Sequence, residues 1–311
     1  MPIPHQEMRR IVTRRIQGTE GTERIRILRA LLAEFPGYYS GPYADLRKWV
    51  HQLIDEAATR RSVKHQDEFQ LPKDGCAQVV LVGPPNAGKS TLLRALTNRP
   101  VVVGNYRFTT LRPVAGILEV GGARVQLVDL PGLVEGARQG AGGGRILLAC
   151  IRVADALLYC LPAEPEEFEA GLAVAQEVAG AGIALPSAVL LTKADLPAAP
   201  AFQRRAAAAL PGLKVVPTQQ GGDLAPVADL VWGLLGLIRV WPSPRGQRAA
   251  EPVVLPEGAT VADLVAALDG RWLERFRRAR LSGPSARFPG QAVGLSHVLA
   301  DGDEVEVGLR A

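Results

Sequence analysis

The chain has 311 residues, 47% of them apolar, and 36 Lys and Arg against 31 Asp and Glu give a net charge of +5. That composition excludes a disordered protein and leaves room for about two domains with additional elements, while the small positive charge permits an RNA or ribosomal partner without requiring one. Cys76, Cys150 and Cys160 are odd in number and lack C-x-x-C spacing, and no stretch approaches the ~20 apolar residues of a membrane span. A disulfide framework, a thiolate zinc site, secretion and membrane insertion are therefore not expected, and a reducing cytoplasm fits best.

In chain order, Ile25, Leu28, Leu31, Leu32 and Phe35 share one helical face, and Pro36-Gly37 ends that segment. Leu46, Trp49, Val50, Leu53, Ile54 and Ala57 make a second stripe starting near Pro42, so the N-terminal arm reads as a helical hairpin. Lys64 to Gly75 is polar with Pro and Gly, as a linker should be. From Cys76 to about Val240, short apolar runs (VVLVG, VQLVDL, ALLYCL, SAVLLT, LKVVP) alternate with helical or loop stretches, and the Ala-rich Ala206 to Ala209 reads as helix. That rhythm predicts an α/β domain with a doubly wound, mostly parallel sheet. After a Pro-rich joint at Pro242 to Gly246, a strand at Pro252 to Leu255, a helix from its cap Thr260 to Leu268 and an edge strand at Asp303 to Val307 suggest a small β-grasp-like unit. The expected domains are residues 1–75, 76–241 and 242–311.

At the end of the run Ala77 to Val82 stands GPPNAGKST, comprising Gly83, Pro84, Pro85, Asn86, Ala87, Gly88, Lys89, Ser90 and Thr91. Gly83, Gly88, Lys89 and Ser90 satisfy G-x-x-x-x-G-K-[ST] between a buried strand and a helix, the context a phosphate-binding loop requires. Backbone N–H groups and the helix N-terminus would cradle phosphates, Lys89 would reach the β and γ phosphates, and the Ser90 hydroxyl would sit on Mg²⁺. Downstream, Phe108, Thr109 and Thr110 lie in a loop that could meet the γ-phosphate, with Thr110 the expected second protein ligand of Mg²⁺. In Asp129-Leu130-Pro131-Gly132 the Asp can hold a metal-bound water and the Gly N–H can meet the γ-phosphate. Thr192-Lys193-Ala194-Asp195 ends another apolar strand; a carboxylate at Asp195 accepts from N1–H and the 2-amino group of guanine, donors that adenine lacks. The four signals in order point to a guanine nucleotide.

With these residues in place, the stretches GPPNAGKSTLL, YRFTTLRPVAGIL, VQLVDLPGLVEGARQGAGGGR, LGLIRVW and ARFPGQAVGLSHVLADGDEV resemble the developmentally regulated GTP-binding subfamily of the Obg GTPase superfamily. The C-terminal piece is similar to a TGS domain. The resemblance implies a P-loop GTPase domain flanked by an N-terminal helical arm and a TGS-like β-grasp domain. It also implies GTP and GDP as ligands, ribosome or RNA association and a stabilising partner protein. An inserted domain carried by eukaryotic-type members should be absent, because Gly144 to Thr192 is too short to hold one. Thr192 stands where such proteins have Asn, which should remove an amide that braces the phosphate loop. The last base-recognition signature maps near Pro217-Thr218, where a proline cannot donate, so weak base affinity is expected.

Leu133 occupies the position from which many GTPases orient water with Gln, so intrinsic hydrolysis should be slow. In similar GTPases an Asn at the position of Asn86 helps hold K⁺, which implies K⁺ stimulation. The segment Gln139 to Arg145 reads as a switch, and Arg271 to Arg280 as an amphipathic helix or an RNA-contacting stretch. His297 reads as structural rather than metal-binding. Two alternatives stay open: a nucleotide-gated binding module with negligible turnover, and an ATPase of the same superfamily, against which Asp195 argues.

Overall fold

The computed structural model describes residues 5–16, 27–28, 30–32, 46, 48–54, 73–97, 101–102, 113–130 and 144–310. Two compact units are present, residues 1–70 and 71–311.

In the first unit the expected helical stripes are joined by a helix that the sequence reading passed over, His5–Ile16. Its Val12 and Ile16 are buried in one cluster with Leu28, Leu31, Leu32, Leu46, Val50 and Ile54. The Arg9 guanidinium lies 4.7 Å from the centre of the Trp49 ring. An apolar stripe this narrow, set among arginines, is a weak periodic signal until its partners are known.

The second unit contains two sheets. The larger has seven strands, β1 (Ala77–Val82), β2 (Val101–Val102), β3 (Val114–Val120), β4 (Ala123–Asp129), β5 (Ala156–Pro162), β6 (Ser187–Thr192) and β7 (Val215–Pro217), in the order β2-β3-β4-β1-β5-β6-β7. β4, β1, β5, β6 and β7 are parallel, and β2 and β3 extend the sheet in antiparallel pairing. Parallel neighbours need long crossovers, which the helices Lys89–Leu96, Pro165–Gly180 and Ala199–Ala209 supply. β1 and β5 are buried along their whole length, as their unbroken apolar runs require. One face packs Val79, Leu81, Leu158, Cys160 and Leu190 on Leu92 and Leu93 of the helix after β1 and on Val227, Leu230 and Val231 of the helix Ala225–Leu235. Full burial of each such side chain contributes about 1.5–3 kcal/mol. Between Gly144 and Thr192 lie a helix (Gly144–Arg152), β5, the helix Pro165–Gly180 and β6, with no inserted domain.

The smaller sheet has β8 (Leu237–Pro242), β9 (Val253–Pro256), β10 (Phe276–Ser282), β11 (Gln291–Val293) and β12 (Asp303–Leu309) in the order β11-β10-β12-β8-β9. It packs against the helix Val261–Asp269, which starts with a reciprocal cap between Thr260 and Asp263. Three expectations change here. The sheet begins at Leu237, earlier than the joint at Pro242. β12 is a central strand rather than an edge, a distinction that alternation along one strand does not carry. Arg271 to Arg280 is not one helix: the short helix Trp272–Arg275 gives way to β10, where Ala279 and Leu281 point into the core and Arg278 and Arg280 point out with period two.

Arg239 of β8 fastens the two sheets together. Its guanidinium donates to both Asp301 carboxylate oxygens and to the Val120 carbonyl at the end of β3, and it lies 4.8 Å from the Trp232 ring. His297 Nε2 is 3.1 Å from the Ser285 hydroxyl, which donates to the buried Asp303. Among the described residues no helix is long and apolar enough to cross a membrane.

Candidate nucleotide-binding site

Open α/β sheets bind ligands beyond the carboxyl ends of their parallel strands, and the loops after β1, β4 and β6 meet there. Leaving β1, the chain turns at Gly83, where a Cβ would lie 2.6 Å from the Cys160 carbonyl on β5, too close for any other residue. The loop then passes through two left-handed residues, Asn86 (φ 62) and Gly88 (φ 79), before the helix starts at Lys89. Left-handed steps within a turn aim successive N–H groups into one concavity, and the helix N-terminus adds its partial positive charge. A cavity of about 440 Å³ opens over this loop, lined by residues 85–91 and Asp129.

Lys89 is buried, and its ammonium donates to the carbonyls of Gly83 at 3.0 Å and Pro84 at 2.8 Å. An ammonium has three N–H bonds, so one remains for a phosphate oxygen. Burial holds the Lys89 pKa below the usual lysine value, opposed by the nearby Asp129 charge. Ser90 donates its hydroxyl hydrogen to Asp129 Oδ2. Asp129 Oδ1 is buried with no hydrogen-bond partner, and burial raises the pKa of this carboxyl against the opposing bond from Ser90 and charge of Lys89. A buried oxygen left unpaired beside a serine hydroxyl is a hard-oxygen donor set of the kind Mg²⁺ prefers.

A second cavity of about 630 Å³ shares Asn86, Gly88 and Thr91 with the first. It is lined further by Glu164, Thr192, Lys193, Asp195 and the stretch from Thr218 to Gly222. Asp195 thus lines the second cavity, which adjoins the first at Asn86, Gly88 and Thr91. Ala194 N–H donates to the Thr218 carbonyl at 3.0 Å, which ties the β6 and β7 loops into one wall.

One sequence-based expectation changes in this wall. Thr192 does not leave the phosphate loop unbraced: its hydroxyl donates to the Ala87 carbonyl at 2.9 Å, both residues being buried. A hydroxyl has one donor, and here that donor meets the buried Ala87 carbonyl. Pro217 ends β7, and the cavity lining begins at Thr218. Leu130 is buried beside Asp129. Phe108, Thr109, Thr110, Pro131 and Gly132, along with Leu133, lie outside the described residues. Glu164 and the residues from Gln219 to Gly222 were missed by the motif reading, since they belong to no spaced signature.

Removing the Thr192 hydroxyl should show how much the loop depends on it. Thr192→Val leaves the Ala87 carbonyl buried and unpaired, a cost of about 1–3 kcal/mol that falls on the ordered loop. Nucleotide affinity by calorimetry should drop about tenfold. Thr192→Asn, which restores an amide donor, should hold the parental value.

The profile of the 50S ribosome-binding GTPase family matches residues 78–193, and that of the TGS domain matches residues 238–308. An uncharacterised GTP-binding protein of Halobacterium salinarum is 31% identical over 78% of this chain and 85% of its own length. The developmentally-regulated GTP-binding protein 2 homolog of Dictyostelium discoideum is 28% identical over 85% and 91% of the two chains. Ribosome-interacting GTPase 1 of Saccharomyces cerevisiae is 26% identical over 85% and 90%. The chain belongs to the developmentally regulated GTP-binding family. As a member it is a GTP-binding protein of the P-loop GTPase class with a C-terminal TGS domain, and the cavities just described are lined by residues of the GTPase match, by Asp195 and Leu196 just after it, and by the loop after β7.

Proposed function

We propose that this GTP-binding protein hydrolyses GTP to GDP and phosphate in a slow, Mg²⁺-dependent intrinsic reaction, and serves as a cytoplasmic switch that docks on the ribosome or RNA. The observation that carries the reading is the continuity of the two cavities through Asn86, Gly88 and Thr91, with Lys89 at the phosphate end and Asp195 at the base end. Asp195 discriminates guanine by accepting two N–H bonds, and adenine leaves its charge unpaired. Lys89 and the N–H groups of the loop hold the β and γ phosphates and stabilise charge that develops as the γ-phosphoryl group departs. Ser90 would ligate Mg²⁺ and Asp129 would hold one of its bound waters, and the ion when bound neutralises phosphate charge. Thr110 is the second protein ligand of that ion, and Phe108, Thr109 and the segment from Leu130 to Gly132 respond to the γ-phosphate.

Leu133 has no hydrogen-bonding group, so water is oriented without the usual glutamine and turnover is slow. Asn86, left-handed and on the rim of both cavities, serves as a ligand of K⁺, which would supply positive charge where an arginine finger is absent. Single-turnover hydrolysis should then run about tenfold or more faster in KCl than in NaCl at matched ionic strength. Equal rates would remove K⁺ from the mechanism.

Ribosome association is supported by the name of the yeast relative, and the reading adds docking through the helical arm and the TGS domain with a stabilising partner protein. Calorimetry on nucleotide-stripped protein tests the central reading: GTP should bind in the presence of Mg²⁺ and ATP should compete poorly. Hydrolysis measured with and without ribosomes separates a switch from a nucleotide-gated module, because tight binding without turnover in both conditions establishes the latter.

A further inference from the structure

Lys193, the middle of the base-reading segment, is held in an unusual way. Its backbone is left-handed at φ 56, a conformation that costs a residue with a Cβ roughly 1–2 kcal/mol. The turn around it is fixed by three backbone bonds: Ala163 N–H to the Thr192 carbonyl, Ala194 N–H to Thr218 and Leu196 N–H to Lys193 itself. The side chain leaves this turn along the wall of the base cavity, and its ammonium meets two carboxylates at the start of the helix Pro165–Gly180. Glu167 accepts from it at 2.7 Å and Glu164, itself part of the cavity lining, accepts from it as well. All three side chains are about one-third exposed, so the arrangement is an ordered cluster at the cavity mouth and not a buried salt bridge.

We propose that Glu164 and Glu167 are positioning residues for the purine: by anchoring the Lys193 ammonium, they fix its four-carbon stem as one wall of the base cavity before nucleotide arrives. The inference rests on the guanine-binding reading of this cavity. A free lysine side chain carries about 2 kcal/mol of rotamer entropy, which base binding would otherwise have to remove. With the ammonium anchored, that ordering is already done and the stem offers a preformed apolar surface beside the base. Two carboxylates serve better than one, since a single exposed pair contributes only about 0.2–1 kcal/mol and leaves the lysine free to swing. The paired charges also keep the ammonium at the mouth, away from the phosphates that Lys89 serves.

Mant-GTP binding to the full-length, nucleotide-stripped chain tests this. Glu164→Gln with Glu167→Gln should weaken affinity about five- to tenfold, raising KM while the saturated hydrolysis rate stays within twofold. Lys193→Met, which keeps the stem and loses the anchor, should show a loss of similar size. In that background the two glutamine substitutions should add nothing, a coupling that a merely structural role would not produce. Affinity within twofold of the parent, an undiminished further loss in the Lys193→Met background, or a loss confined to the saturated rate would each overturn the proposal. Should the double variant fail to fold, Glu167→Gln alone carries the same cycle, with about a threefold loss expected and an unchanged affinity counting against it. Failure of the parent itself to bind mant-GTP would instead sink the underlying reading of the cavity.

Discussion

Lys89→Met should lower GTP affinity by at least about a hundredfold while leaving the fold intact. The lost contact is a charge-assisted bond between a buried ammonium and phosphate, about 1.5–3 kcal/mol in isolation, and it is removed from a site that excludes water on one side. Methionine nearly conserves volume, so the change creates little cavity beneath the loop. The nucleotide-free protein should lose some stability too, because methionine cannot donate to the buried Gly83 and Pro84 carbonyls that the ammonium holds. Burial holds the Lys89 pKa below 10.5, which means the folded chain binds this proton less tightly than the unfolded chain does. In the alkaline range below 10.5 the unfolded state therefore carries more protons, and parental apo stability should rise with pH as Lys89 discharges. Lys89→Met should abolish that component of the rise. Calorimetric titration with GTP and Mg²⁺ together with apo melting from pH 8 to 10 would read both effects; affinity within threefold of the parent would remove Lys89 from the phosphate site.

Asp195→Asn should exchange one purine preference for another. On the proposed reading the Asp195 carboxylate accepts two N–H bonds from guanine; the amide can accept one and presents its own N–H₂ to the second, so donor faces donor. At about 1.5–3 kcal/mol for bonds to a charged group, GTP affinity should fall about thirtyfold to a hundredfold. Xanthine carries an oxygen where guanine has its amino group, which suits the asparagine amide, and XTP should gain by a comparable factor. ATP should change little. Competition of GTP, XTP and ATP against a fluorescent guanine nucleotide reports all three, and an unaltered rank order would show that another group reads the base.

Much of this site was legible in the residues because its parts are local. The phosphate loop needs glycine where backbones approach, a lysine and a hydroxyl at fixed offsets, and a strand feeding a helix; Val79 to Leu93 supplies all of them in one stretch. The parallel strands were equally plain, since burial on both faces demands unbroken apolar runs. Strand β3 was harder to read: its antiparallel pairing with β4 depends on a partner and on the turn at Gly121-Gly122, not on a run of its own. Helix His5–Ile16 was overlooked because Val12 and Ile16 gain meaning only from the other helices they touch. Arg271 to Arg280 misled for the opposite reason, as aromatic and basic residues fit a helical face until pairing with β12 imposes period two.

The amino-acid sequence alone pointed to the ligand chemistry this protein handles, because a phosphate-loop motif and a Lys-x-Asp element are specified by residue type and short spacing. Only the tertiary structure decided how those parts are held. Thr192 reaches Ala87 from far along the chain, Glu164 and Glu167 converge on Lys193, and Asp129 keeps one buried oxygen unpaired beside Ser90. Such pairings depend on which strands lie side by side in the sheet, and strand order is a property of the whole fold that no local spacing encodes.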